Sequence, residues 1–482
     1  MRVKKWFGLV VTSLLLVSTL YPAGVFAKAD RTIEDESIYD LLVDRYNNGD
    51  GLNDYNVNTQ DLSAFNGGDF TGIGTRLEHI AGMGFTVISL GPVFSTETYD
   101  GSKVLDYTKF EPQFGTDKEF SKMIKDVHER DISVIADFPF AGVSANHVWA
   151  QEGKFKAIPA TDGTIDWDYS DVAVQQALKE AVVDFVETYK LDGIRLTKIE
   201  KFDTAFINEV IEAVKAVNPE AYVLTNEVSD AKFDGALNMD KMNALRTSFV
   251  TPDVDAAALS LFTENTDNGL VQFDDLTGPR YTYDIVEARM FPPTRWKLAA
   301  TALFSMPGTL IVPYGTEIAV NGKAAPENHQ LMNYKIDQEL VEYIGSLNKL
   351  RNMSETFRSG DFEILYNEGG FSVFKRSSDK EIWIIALNNT TQTSNFAIPK
   401  EVIGDNKKLR GVLDNDLVRE SKDGMFRVVL EREVAEIYIA DEDTGFNVPY
   451  LITSILIYTT FLSFLFLVWR RGKQGRKEDI AK

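Results

Sequence analysis

The 482-residue chain contains no cysteine. Disulfides, thiol nucleophiles and thiolate metal sites are therefore excluded, so the fold must rely on packing and, if it is exported, on a hard cation. Positive charge is also short. Fifty Lys and Arg stand against 72 Asp and Glu, a net charge of −22. The first 27 residues carry +3 and the last 13 carry +4, which leaves −29 on the stretch between. A surface of that sign repels nucleic acid and anionic lipid, so no nucleic-acid partner is expected and neutral ligands or divalent cations remain. No internal repeat, low-complexity tract or Gly-rich phosphate loop after the first strand is present.

What is present reads as an ordered protein: 44% of residues are hydrophobic and 11% aromatic, too many for a disordered chain. Residues 1–27 begin with Arg2, Lys4 and Lys5, continue apolar and end in Val25-Phe26-Ala27. That layout predicts a signal peptide cleaved after Ala27, with an uncleaved anchor as the alternative. Val448 to Trp469 is 22 residues without a formal charge, followed by Arg470, Arg471, Lys473, Arg476 and Lys477. It predicts a transmembrane helix with residues 470–482 as a cytoplasmic basic tail, hence a type I single-pass cell-membrane protein with its main domains outside.

Between these ends, residues 33–355 alternate short apolar runs with amphipathic stretches. The strand candidates are "SIYDLLVD", "FTVISLGPV", "ISVIADF", "GIRLT", "AYVLTNE", "LRTSFV", "ALSLFTEN" and "TLIVPYG". Eightfold strand–helix alternation predicts an α/β fold, a parallel (β/α)8 barrel, with an inserted loop region at about 139–170. An open doubly wound sheet is the alternative. From 356 to 441 the pattern changes to short alternating runs split by Gly, Asn and Asp, which predicts an antiparallel β-sandwich.

Chemistry is expected at the C-terminal ends of the barrel strands. In "LDGIRLTKIEKF", residues 191–202, period 2 places Ile194 and Leu196 on one face and Arg195 and Thr197 on the other. Asp44, Asp137 with Asn146 and His147, Glu227, and Asn265 with Asp267 are the other polar strand-end candidates. As an ordered set these segments resemble the α-amylase family of retaining α-glucan hydrolases and transferases. "YDLLVDRYNNGD" resembles its first strand, and "DFPFAGVSANH" its Asp-x-x-x-Asn-His region with a longer gap. "GIRLTKIEK" resembles Gly-x-Arg-x-Asp-x-x-Lys-His, and "TNEVSD" the strand bearing the acid. "FTENTD" resembles Phe-x-x-Asn-His-Asp, and "PGTLIVPYGTEI" the last strand.

The resemblance implies Glu227 as acid/base, Asp267 as the transition-state carboxylate, Arg195 as the cation orienting the nucleophile, and His147 as a retained substrate-binding residue. The nucleophile falls on Thr197. Retaining cleavage needs two carboxyl groups about 5 Å apart. A threonine hydroxyl ionises far above neutral pH and has no adjacent base, and losing a nucleophile costs on the order of 10⁶ in turnover. Other positions depart as well: Glu200-Lys201 replaces Lys-His, Thr266 replaces a His, and Ser102 falls where an aromatic floors the sugar site. The expectation is a cell-surface protein related to α-glucan metabolism, catalytically impaired, that binds an α-glucan or oligosaccharide or serves as an interaction scaffold for an unknown protein partner. The alternatives are an active hydrolase or transferase with an unusual nucleophile, Glu200 being one, and an envelope protein that keeps only the fold.

"NNGDGLNDYN" and "NGGDFTGI" supply Asn48, Asp50, Asn53, Asp54, Gly67 and Asp69, hard oxygen donors that suit Ca²⁺. Neopullulanases and cyclodextrin-processing enzymes of the family bind calcium in this loop, which the resemblance extends to this chain; ordinary turn formation is the alternative. Trp149 and Trp296 are expected to be structural.

Overall fold

The computed structural model describes residues 31–263, 269–336, 338–443, 445 and 448–480. The expected signal peptide and Asp267 lie outside these residues. Eight parallel strands succeed one another in chain order: β1 Ser37–Leu41, β2 Val87–Leu90, β3 Ser133–Pro139, β4 Gly193–Thr197, β5 Tyr222–Thr225, β6 Gly235–Ala236, β7 Leu270–Val271 and β8 Thr309–Pro313. β8 returns to pair with β1, and a parallel bridge from Leu237 to Leu270 links the β6 and β7 edges, so the sheet closes.

Strand parity sorts the side chains. Ile38, Val87, Ile135, Leu224, Leu237, Leu270 and Ile311 pack together inside the ring. Tyr39, Ile88, Val134, Ile194, Leu196, Val223 and Leu310 point outward into the core shared with the helices. Those helices include Asp117–His128, opened by a Thr116/Glu119 capping box, and Val172–Tyr189 and Thr204–Val217, capped by Asp171 and Asp203.

Two expected strands are helical. "LRTSFV" belongs to the helix Met239–Val250, where Met242, Leu245 and Phe249 are buried at helical spacing and Asn238 caps the start. "ALSLFTEN" opens with a 3-10 turn over Ala257–Phe262. The sheet takes β6 and β7 instead, two-residue strands that offer too little periodicity to read in advance.

Within the inserted region, Val143–Ser144, Ile158–Pro159 and Thr164–Asp166 form a small sheet. The C-terminal domain has a six-stranded antiparallel sheet and a two-stranded one. Phe374, Ile385, Leu387 and Ile437 on one face of the larger sheet join the barrel core, while Val373, Ile384, Ala386 and Tyr438 on the other pack with Ile398, Phe426 and Val428 of the smaller sheet. A helix then runs over Val448–Ile480.

Candidate active site

Arg195, facing into the barrel from β4, is buried with Asp137 of β3 and Asp40 of β1. Its Nε and Nη2 donate to Asp137 at 2.6 and 2.8 Å, and its Nη1 and Nη2 donate to Asp40 at 3.0 and 2.9 Å. One guanidinium thus holds two carboxylates in bidentate geometry. Burial lifts the Asp137 carboxyl above its ordinary range, and the charge of Asp40 adds to this against the pull of Arg195.

Thr197 is the next inward residue of β4, at the mouth of the barrel. The chain turns sharply there, with Lys198 in the left-handed region at φ 56°. That turn aims successive backbone N–H groups at Glu227: Lys198 N donates to Oε1 and Ile199 N to Oε2, the latter at 2.9 Å. Glu227 is half-buried. Burial raises its pKa, the two N–H groups oppose that rise, and the nearby charge of Glu200 adds to it. The structure therefore brings Thr197, Arg195 and Glu227 to one end of the barrel. The Lys198 side chain crosses the same opening, its Nζ donating to the carbonyls of Ser102 at 2.8 Å and Gly142 at 3.3 Å.

His147 does not join this cluster as a surface group. It has no exposed area, packs in tilted and edge-on contacts with Tyr107, Trp149 and Trp167, and accepts at Nδ1 from Trp149 N at 3.2 Å. Burial depresses its pKa to about 4. The longer gap after Asp137 carries the histidine into the inserted region, where its ring packs on Tyr107. Asp44 is likewise internal: it pairs with Arg45 and accepts from Asn66 N and Gly67 N, and burial raises its pKa to about 6. Trp149 and Trp296 are both buried. Sequence reading passed over Asp40. Its signal was available, because it shares parity with the inward Ile38 in "SIYDLL".

In the oxygen-rich loop, Asn48 Nδ2 lies 2.9 and 3.0 Å from the two Asp54 carboxylate oxygens. Gly67, at φ 92°, leaves room beside them: a Cβ there would come within 2.6 Å of Asn48 Nδ2 and 2.8 Å of Asp54 Oδ1. Asn53 Oδ1 is buried without a partner. Asp69 is otherwise engaged. It caps the helix Phe70–Thr75 through Gly72 N at 2.5 Å, and its other oxygen accepts from Gly49 N and Asp50 N at 3.0 and 2.8 Å. Asp50 Oδ1 accepts from Leu52 N at 2.9 Å. Among the described residues no three His, Asp or Glu side chains converge as ligands. The unpartnered Asn53 oxygen and the Asp54 carboxylate are oxygen donors of the kind a hard cation takes.

Two family models match the chain: "Alpha amylase, catalytic domain" over residues 40–177 and "Alpha-amylase C-terminal domain" over residues 360–438. The crystal structure of an Anoxybacillus α-amylase is 34% identical with TM-score 0.82, covering 86% of this chain and 100% of that one. The α-amylase of Geobacillus thermoleovorans, solved with acarbose, is 32% identical with TM-score 0.79 over 86% and 100%. A cyclomaltodextrinase of Thermoanaerobacter pseudethanolicus is 26% identical over 74% of this chain and 71% of its own length. The chain spans only 37% of the β/α-amylase of Paenibacillus polymyxa, at 23% identity.

Proposed function

The chain belongs to the α-amylase family, and from that premise we propose that it is a catalytically impaired member, held at the cell surface, that binds α-glucan without cleaving it. The observation that carries this reading is the pairing of Arg195. Four of its five N–H donors are taken by Asp40 and Asp137, and the next inward position of β4 offers the hydroxyl of Thr197 where retaining chemistry needs a carboxylate. Glu227 keeps a carboxyl group at the acid/base position, and Asp267 is assigned by motif alone. The α-glucan comes from family membership and from the acarbose bound by the Geobacillus relative.

The helix from Tyr450 to Arg470 supports the anchor: it is 21 residues long with mean hydropathy 2.2, and none of it is buried against the rest of the protein. With the N-terminal segment read as a signal peptide, the barrel and sandwich lie outside the cell. Calcium at Asn48, Asn53, Asp54 and Gly67 would cross-link the first loop to the barrel and supply stability rather than chemistry; Asp50 and Asp69 brace that loop through its backbone.

The test is a trapping experiment. Full-length protein is incubated with a fluorinated α-glucoside and examined by mass spectrometry, alongside assays for reducing-sugar release and for retention on immobilised glucan. No adduct, no release and retention on glucan are expected. A glycosyl adduct on any residue, Glu200 included, returns the protein to the hydrolases, and absence of retention removes the glucan.

A further inference from the structure

Resting on that reading, we propose that Lys198 is the built-in occupant of the cleft, filling the place of the sugar ring beside Glu227, so that a glucan chain enters that position only when Lys198 withdraws. Residue 198 engages the site twice. Its backbone N–H holds the Glu227 carboxylate, and its side chain runs from there to the carbonyl of Ser102, the position assigned to the sugar's aromatic floor. The family resemblance assigns a bound ring to the space bounded by Thr197, Glu227 and residue 102. That span is the path of the Lys198 side chain.

Three features of the chain act together here. Ser102 is small, so nothing there opposes the lysine. Gly142, at φ 63°, has no side chain, and a Cβ on it would lie 3.4 Å from Lys198 Nζ. Lys198 itself adopts φ 56°, a conformation a lysine adopts only when its surroundings impose it. Glu227 on its backbone and two carbonyls on its ammonium are such surroundings. A solvated loop lysine would show none of these contacts. Here the amine is half-buried and donates two hydrogen bonds; burial lowers its pKa, and the negative charges of Asp100, Asp162, Asp166 and Glu227 only partly offset that. A neutral sugar must displace those two hydrogen bonds to enter.

The experiment compares maltoheptaose binding by calorimetry in the full-length protein and in Lys198→Gly. Glycine accepts the left-handed backbone, so the turn that cradles Glu227 is retained. Affinity should rise by about tenfold, the equivalent of displacing one or two hydrogen bonds. Lys179→Ala, on the helix Val172–Tyr189 and paired with Glu209, should leave it unchanged. Lys198→Asn, which tolerates positive φ and is too short to reach Ser102, should match Lys198→Gly and serves if the glycine variant misfolds. As an independent readout, Ser102→Tyr should lower the melting temperature of the otherwise unaltered protein and be tolerated beside Lys198→Gly, because ring and lysine compete for one space. Unchanged affinity in both Lys198 variants, or an equal Ser102→Tyr penalty in both backgrounds, overturns the proposal. Either result leaves the non-hydrolytic reading standing, since that reading fails only through the adduct, sugar release or loss of glucan retention.

Discussion

Arg195 and Asp40 lie 155 positions apart in the chain and meet inside the barrel through two hydrogen bonds of 2.9 and 3.0 Å. This pairing alters what a carboxylate placed at position 197 would do. In Thr197→Asp the guanidinium would face a third carboxylate, and an uncompensated buried charge costs about 3 kcal/mol. Thr197→Asp alone is expected to lower the melting temperature and to give no hydrolysis of an activated aryl α-glucoside. Adding Asp40→Asn frees half of Arg195. The double variant should recover stability and show measurable hydrolysis where neither single variant does, because residues of one site act as a unit. Steady-state rates and thermal melts on the four proteins decide this; full activity in Thr197→Asp alone would show that Arg195 is not saturated.

Two buried groups oppose each other in their response to pH. Asp44 has its pKa raised to about 6, so it favours the folded state at low pH, and that stability is lost as pH rises from about 4 through 6. His147 is depressed from 6.5 to about 4, so its contribution is present above pH 6.5 and lost as pH falls toward 4. Each is worth roughly 3 kcal/mol at full extent by its pKa shift. The upward shift of Asp137 carries the same sign as that of Asp44. With two raised carboxyls against one depressed imidazole, urea midpoints should fall as pH rises from about 4.5 to 7.5 in the parent protein. They should be flatter in Asp44→Asn and fall more steeply in His147→Gln. Parallel curves for all three would refute the assignment.

Calcium binding should be separable from backbone bracing. A chelator should lower the melting temperature of the parent protein, and Ca²⁺ but not Mg²⁺ should restore it, since Mg²⁺ tolerates irregular oxygen cages poorly. Asn53→Ala with Asp54→Ala should abolish the chelator response. Asp69→Ala should destabilise by about 1–2 kcal/mol with or without metal, because its oxygens serve the N–H groups of Gly49, Asp50 and Gly72. A chelator response that survives loss of Asn53 and Asp54 would place the ion elsewhere.

The C-terminal helix can be tested by partition. Full-length protein should enter the detergent phase, and a chain ending at Asp443 should stay in the aqueous phase, because Tyr450–Arg470 is long and apolar enough to cross a bilayer. Aqueous behaviour of the full chain would remove the anchor.

Local pattern determined much of this protein. Alternation in "GIRLT" was enough to send Ile194 and Leu196 to the helices and Arg195 and Thr197 into the barrel, because a strand's side chains alternate whatever surrounds it. That a threonine stands at position 197, at the end of this strand, is likewise a fact of sequence. Strands β6 and β7 were not legible, since two-residue strands carry no periodicity and are strands only because neighbours pair with them. Partner choice was beyond the sequence altogether. That Arg195 belongs to Asp40, that His147 is buried among aromatic rings, and that Lys198 reaches Ser102 each depend on where the folded barrel and its inserted region bring separate segments. A residue's type limits the bonds it can make, but only the tertiary structure decides which groups stand within reach to make them.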